Sequence, residues 1–146
     1  MSKRSEVVTA LVDLLKNIST ANGYNTDIGS NIQQWRVGEI NPSDMPVMII
    51  EDKNETFTGD GAVIGKRERE LTITVEIYEV IDDSMDELRD MVTDVFNAIK
   101  TNETLSNLVI DIDVAYTNFQ VVQHENRIAM AEIKLVVLYE TKRWEF

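Results

Sequence analysis

Apolar positions recur along this chain with two periods, one near 3.6 residues and one of two. Val7, Val8, Leu11, Val12, Leu14, Leu15 and Ile18 return at three- and four-residue spacing. That stripe predicts an amphipathic helix from Ser5 to about Ser19. Ser5 is placed to cap it through a free backbone N–H of the first turn, and Gly23 to close it in the left-handed conformation. Thr20 to Ser30, rich in Asn, Thr and Gly, reads as a loop. Residues 31–37, with Ile32, Trp35 and Val37, predict a short strand, and Asn41-Pro-Ser-Asp44 a turn. Val47, Met48, Ile49 and Ile50 follow one another without a polar break. Such a run predicts a strand over 46–52 that is buried on both faces.

Residues 53–69 change character. Gly59, Gly61 and Gly65 stand among mixed charges, which reads as an extended hairpin arm or a mobile loop. From Glu70 to Val80 the alternation is clean, with Leu71, Ile73, Val75 and Ile77 on one face and Thr72, Thr74 and Glu76 on the other. Met85, Leu88, Met91, Val92, Val95, Phe96 and Ile99 then restore the helical period, predicting a helix over 82–100. Ser84 and Glu87 have the spacing of a capping box, and Lys100 suits the negative end of the helix dipole. A short helical turn is expected around 103–108. Two long strands, 109–122 and 127–143, flank the turn His124-Glu-Asn126. Simple alternation puts Ile112, Val114 and Tyr116 on one side of the first, and Ala115, Thr117, Phe119 and Val121 on the other.

This order predicts a single α+β domain over residues 1–146. Its expected form is a two-layer sandwich, a mainly antiparallel sheet with two helices packed on one face. A sheet covered by helices on one side should be polar on the other. Val136 and Leu138 break that rule in the last strand, and a neighbouring subunit is the simplest cover for them.

Charge narrows the function. The chain has 146 residues, with 26 acidic and 14 basic side chains, for a formal net charge of −12. This balance argues against a groove that grips nucleic acid, which needs clustered Lys and Arg. There is no cysteine, which excludes disulfides, thiolate metal sites and cysteine nucleophiles. One histidine, His124, excludes multi-histidine metal sites, and its place in a turn beside Glu125 suits an exposed residue better than an acid–base pair. The longest apolar run, Leu135 to Tyr139, falls far short of the ~20 residues of a membrane span. No apolar stretch follows the basic start as in a signal peptide, so an intracellular, water-soluble protein is expected.

Three groups of residues invite a chemical reading. Glu51-Asp52-Lys53 at a strand end has the carboxylate–any–lysine pattern of Mg-dependent nucleases, with Asp44 or Asp27 as the further acid. A charged strand end entering a loop accounts for it more simply. Asp82, Asp83, Asp86, Asp90 and Asp94 form a ladder along the second helix that reads as a solvated face, since no calcium-loop pattern accompanies it. Asp111 and Asp113 are expected to face solvent. No metal, cofactor or catalytic residue is therefore expected. The expected interface residues are Lys53, Phe57, Lys66, Arg67 and Arg69 on the arm, and Phe119, Val121, Val136 and Leu138 from two-sided apolarity. Trp144 and Phe146 join them as aromatic anchors, with packing on the protein's own sheet edge as the alternative.

The layout resembles that of the tail terminator (tail completion) proteins of long-tailed bacteriophages. The resemblance rests on the helix over 7–18 leading into Gly23-Tyr24, on Trp35-Arg36-Val37, and on Asp44-Met-Pro-Val-Met-Ile-Ile-Glu51. It continues through the strand opening at Arg69-Glu70, the helix over 85–99 with Leu105-Ser-Asn-Leu108, and the closing strand Ile133 to Glu140. It implies a non-enzymatic virion protein of the tail or neck, assembled in the host cytoplasm. Such proteins form a ring, usually a hexamer, that ends tube polymerisation and offers a docking surface to the head connector. The implied partners are further copies of the chain, the tail tube protein and a head–tail connector or neck protein. Genomic DNA would pass through the lumen without specific binding. Six copies at −12 each would line such a channel with about −72 formal charges and repel phosphates. Residues 142–146 extend past the family's usual strand end. The alternatives are another head–tail joining protein of the same fold, a small nuclease using Glu51 and Lys53, and an acidic binding module that mimics DNA.

Overall fold

The computed structural model of this protein describes residues 1–58 and 65–146. Among the described residues two α-helices, α1 (Lys3–Leu15) and α2 (Asp86–Thr101), and five strands are formed. The strands are β1 (Ile32–Gln34), β2 (Val47–Thr58), β3 (Lys66–Val80), β4 (Asp111–Gln123) and β5 (Ile128–Lys142). They make one mixed sheet in the order β1-β2-β3-β5-β4. Among the described residues only the β1–β2 pair is parallel. The fold is α+β. Gly59, Gly61 and the tip of the expected arm lie outside the described residues, while residues 53–58 and 66–69 are sheet strands.

Both helices pack on one face of the sheet. Leu71, Ile73, Val75 and Ile77 of β3 are fully buried there, as are Ile133, Leu135, Val137 and Tyr139 of β5. Val7, Leu11 and Leu15 of α1 and Leu88, Met91 and Val95 of α2 close over them. Each fully buried aliphatic side chain contributes about 1.5–3 kcal/mol, so this layer dominates stability. Val47 to Ile50 are buried on both sides of β2, as their unbroken run predicts. Gly29 lies so close under the end of α1 that a Cβ there would stand 2.6 Å from the carbonyl oxygens of Leu15 and Ile18.

Several boundaries differ from the sequence reading. Helix α1 starts earlier, because Ser2 rather than Ser5 caps it and accepts from the Ser5 N–H at 3.0 Å. Gly23 closes the short 3-10 turn Thr20–Asn22, not α1. The Ser84–Glu87 capping box does not form: Ser84 accepts from the Asp86 N–H, and Glu87 turns toward Glu79. Burial and the Glu87 carboxylate raise the Glu79 carboxyl above its ordinary range. No helical turn forms at 103–108, since Leu105, Ser106 and Asn107 all have positive φ. There Asn102 Oδ1 accepts from the Ser106 N–H at 2.8 Å and holds a tight turn instead. Asp94 is not on a solvated face. It is fully buried and accepts from the N–H groups of Asn25 and Thr26 and the Thr26 hydroxyl, at 3.0, 2.8 and 2.6 Å.

Candidate interaction surface

Three regions of the sheet remain open: its outer face, its edges and one end. The register defines the outer face row by row. Val47, Tyr78, Met130 and Gln120 make one row, and Ile49, Glu76, Glu132 and Asn118 the next. Glu51, Thr74, Lys134 and Tyr116 follow, then Asn54, Thr72, Val136 and Asp113, and then Thr56, Glu70, Leu138 and Asp111. Val136 and Leu138 are thus half-buried among carboxylates. Glu76 stands directly opposite Glu132, and Glu68 opposite Glu140. Like charges in that relation destabilise an isolated sheet. Lys53 Nζ lies 3.9 Å from Glu76, and Lys134 sits over the Tyr116 ring at 5.6 Å. Two tyrosines bond to this acidic layer. Burial and a hydrogen bond to Glu76 push the Tyr78 phenol well up, and a bond to Glu132 raises Tyr116.

The edges are open on both sides. Among the described residues β4 pairs only with β5, and all of its residues but Ile112 are exposed. At the far edge β1 covers β2 only over Met48–Ile50, so among the described residues no strand lies beside 51–58 on the side away from β3. Simple alternation fails along β4. The register slips between Val114 and Tyr116, where Ala115 is the extra residue of a bulge. Phe119 and Val121 therefore share the helix-side face with Val114, opposite Ala131 and Ala129, and Tyr116 moves to the outer face. They stay partly exposed because α2 packs on β5 and β3 rather than on β4.

The third region is the end of the sheet where β3 begins. Lys66 is exposed and Arg67 half-buried, whereas Arg69 is 5% exposed. The Arg69 guanidinium donates to Glu55 at 3.0 Å, to Thr141 Oγ1 at 2.8 Å and to the Glu145 carbonyl. The Tyr139 hydroxyl donates to the same Glu55. Arg4 donates to Asp52 at 2.7 Å, and the Trp35 indole N–H donates to Asp52 at 2.7 Å. Burial alone would raise the Asp52 carboxyl, but the bonds from Trp35 and Arg4 outweigh it and hold it below its ordinary range. Phe57 lies beside Arg69 and Phe146 beside both Arg4 and Arg69, while Trp144 is 91% exposed. Arg69 is thus a buried organiser of this end of the sheet rather than an exposed side chain of the arm. Glu55, Tyr139, Thr141, Arg4 and Asp52 were absent from the sequence reading of this cluster. The available signal was phase: Arg69 falls in step with Leu71 and Ile73, and Thr141 in step with Val137 and Tyr139.

The nuclease pattern does not assemble. Asp27 and Asp44 line an open cleft of about 840 Å³ with Glu87 and Asp90, whereas Glu51 and Lys53 are not among its lining residues. Asp44 is paired with Arg36 at 3.3 Å. Among the described residues no three His, Asp or Glu side chains cluster to hold a metal ion. Among the described residues no helix is long and apolar enough to cross a membrane.

No family model and no curated protein matches this sequence. The fold does have a counterpart among solved structures. A chain from the "Virion of native gene transfer agent (GTA) particle" superposes with a TM-score of 0.55 over 91% of this chain and 93% of that one. The two are 6% identical, so the likeness is one of fold.

Proposed function

We propose that this chain is a structural protein of a phage-like virion, and within it the tail terminator. In that role a ring of copies sits on the head-proximal end of the tail tube, stops its growth and receives the head connector. The observation that carries the reading is the fold likeness to a virion chain over nearly the full length of both molecules. The open edges supply the means of closing a ring. In the sheet order β2 and β4 run antiparallel, and each has a free side. Simple rotation brings β4 of one copy beside residues 51–58 of the next, antiparallel, with no strand reversed. Such a head-to-tail contact closes when the rotation per copy divides a circle. The outer face, with Glu76 opposite Glu132 and Glu68 opposite Glu140, would then form a lumen wall that repels DNA.

Native mass spectrometry at several concentrations, with and without tail tubes, tests the ring. At 16.7 kDa per subunit, six copies give a species near ~100 kDa. A monomer under every condition, tubes included, refutes the ring. Tube length separates the terminator from another head–tail joining protein. The terminator caps growing tubes at a defined length, whereas a joining protein leaves tube length unchanged and binds only the connector side. Charge reversal of Glu76 and Glu132 to Lys should slow DNA ejection from particles; unchanged kinetics remove the lumen assignment.

A further inference from the structure

At one end of the sheet a seat of donors holds the chain's own Glu145 and Phe146, with the Phe146 residue still 59% exposed. The Lys3 N–H donates to the Phe146 carbonyl at 3.0 Å, and Arg69 donates to the Glu145 carbonyl. The guanidinium carbons of Arg4 and Arg69 each lie 5.8 Å from the centre of the Phe146 ring. A guanidinium near an aromatic face is attracted by the ring quadrupole. The seat residues have partners besides the occupant. Glu55 and Thr141 fix Arg69, Asp52 fixes Arg4, and Trp35 fixes Asp52. The occupant is held more lightly. Trp144 is 91% exposed and takes φ +66, a left-handed conformation that side chains other than glycine seldom adopt. Upstream of it, the Arg143 N–H donates to the Gly65 carbonyl and ties the segment's root to the sheet. The seat lies along the part of β2 that, among the described residues, has no strand on the side away from β3, since Asp52, Glu55 and Phe57 all belong to it.

We infer that in the assembled protein this seat takes the Trp144–Phe146 segment of a second copy, the chain's own segment serving as a placeholder in the isolated subunit. The inference rests on the self-association proposed above. The complementarity is already visible: two guanidinium groups meet one ring, and two donors meet two consecutive carbonyls. Exchange of an identical segment between protomers remakes in the neighbour each contact it breaks, which makes it a low-cost route to association. Trp144 is the pivot, because its left-handed backbone is relieved when the segment swings out.

Two arms test this. In the first, a labelled peptide of residues 140–146 is titrated against a chain shortened after Lys142, with folding checked by circular dichroism. Saturable binding is expected. Binding should be about ten-fold weaker for a Phe146→Ala peptide, and about ten-fold weaker for the full chain, whose own segment competes. A folded shortened chain that ignores the peptide, or one that binds the Phe146→Ala peptide equally well, overturns the inference. If the shortened chain does not fold, the full-length Phe146→Ala chain replaces it and should bind the native peptide more tightly than the parent does; no gain overturns the inference. In the second arm, Lys3→Cys and Glu145→Cys chains are mixed and mildly oxidised. Both positions line one hollow of about 300 Å³, and the parent has no cysteine. A disulfide joining the two kinds of chain is expected. Its absence, when a chain carrying both substitutions closes on itself, overturns the second-copy occupant. Native masses of the same samples read the ring separately. A ring without the cross-link defeats only this inference, and a cross-linked dimer that never closes defeats only the ring.

Discussion

Replacing Arg69 by Met should be among the costliest single changes in this protein. Arg69 and Glu55 form an ion pair at 3.0 Å with side chains only 6% and 8% exposed. Removing the guanidinium leaves the Glu55 carboxylate buried, with the Tyr139 hydroxyl as its remaining donor, and strips the donors from Thr141 and the Glu145 carbonyl. Breaking a buried pair from one side costs about 3–5 kcal/mol, because the surviving charge keeps its desolvation penalty and loses its compensation. For a chain of this size that is a fall in Tm of about 10–15 °C. Glu55→Gln alone should cost a similar amount by stranding the cation. The double variant Arg69→Met/Glu55→Gln buries no charge, keeps an acceptor for Tyr139, and should cost less than either single change. Urea titrations at one fixed subunit concentration measure all three, since association would otherwise add to apparent stability. A loss within about 0.5 kcal/mol for Arg69→Met refutes the reasoning. So does a double variant whose loss equals the sum of the singles, because that would mean the two groups do not interact.

Three further outcomes are expected. Asp94→Ala orphans the N–H groups of Asn25 and Thr26 and should cost about 2–4 kcal/mol by urea denaturation; a loss under about 1 kcal/mol would show that water replaces the carboxylate. Gly29→Ala forces a methyl group against two backbone carbonyls that cannot retreat, and a differential scan should show about 2–3 kcal/mol of destabilisation. The Glu79 carboxyl is raised by burial and by Glu87, so the folded state binds more protons than the unfolded state above the ordinary carboxylate range. Stability from this group therefore falls as pH rises through that window. Glu79→Gln should be more stable than the parent at neutral pH, with the gap closing toward pH ~4, and a gap independent of pH contradicts the assignment.

The sequence shows its periodic parts plainly. The stripe from Val7 to Ile18 and the alternation Leu71, Ile73, Val75, Ile77 place the core, because helix and strand each repeat a local geometry that hydrophobic burial then amplifies. What escapes a period count is a single inserted residue. The bulges at Lys53 and Ala115 carry no side-chain signature, yet each turns the residues that follow it to the opposite face, in β4 as far as a second slip between Val121 and Gln123, and Phe119 and Val121 are read on the wrong side for that reason. Asp94 is misread because its burial is made by a loop almost seventy positions earlier in the chain. The end cluster joins residues from α1, β2, β3, β5 and the last segment, which no local window contains. Its one legible mark is a charged residue standing in the apolar phase of a strand.

The position of β5 carries a consequence for how the protein is made. It is translated after the other four strands, yet it lies inside the sheet between β3 and β4. Until it leaves the ribosome, β3 presents a bare flank of fifteen residues, with Leu71, Ile73, Val75 and Ile77 lacking half their cover. A nascent chain in that state exposes a long sticky edge, the kind of intermediate that aggregates or needs a chaperone. The sheet is therefore completed by a late insertion rather than strand by strand from one edge. Slow or interrupted synthesis near residue 128 should yield insoluble product, although most of the chain's elements have already been made.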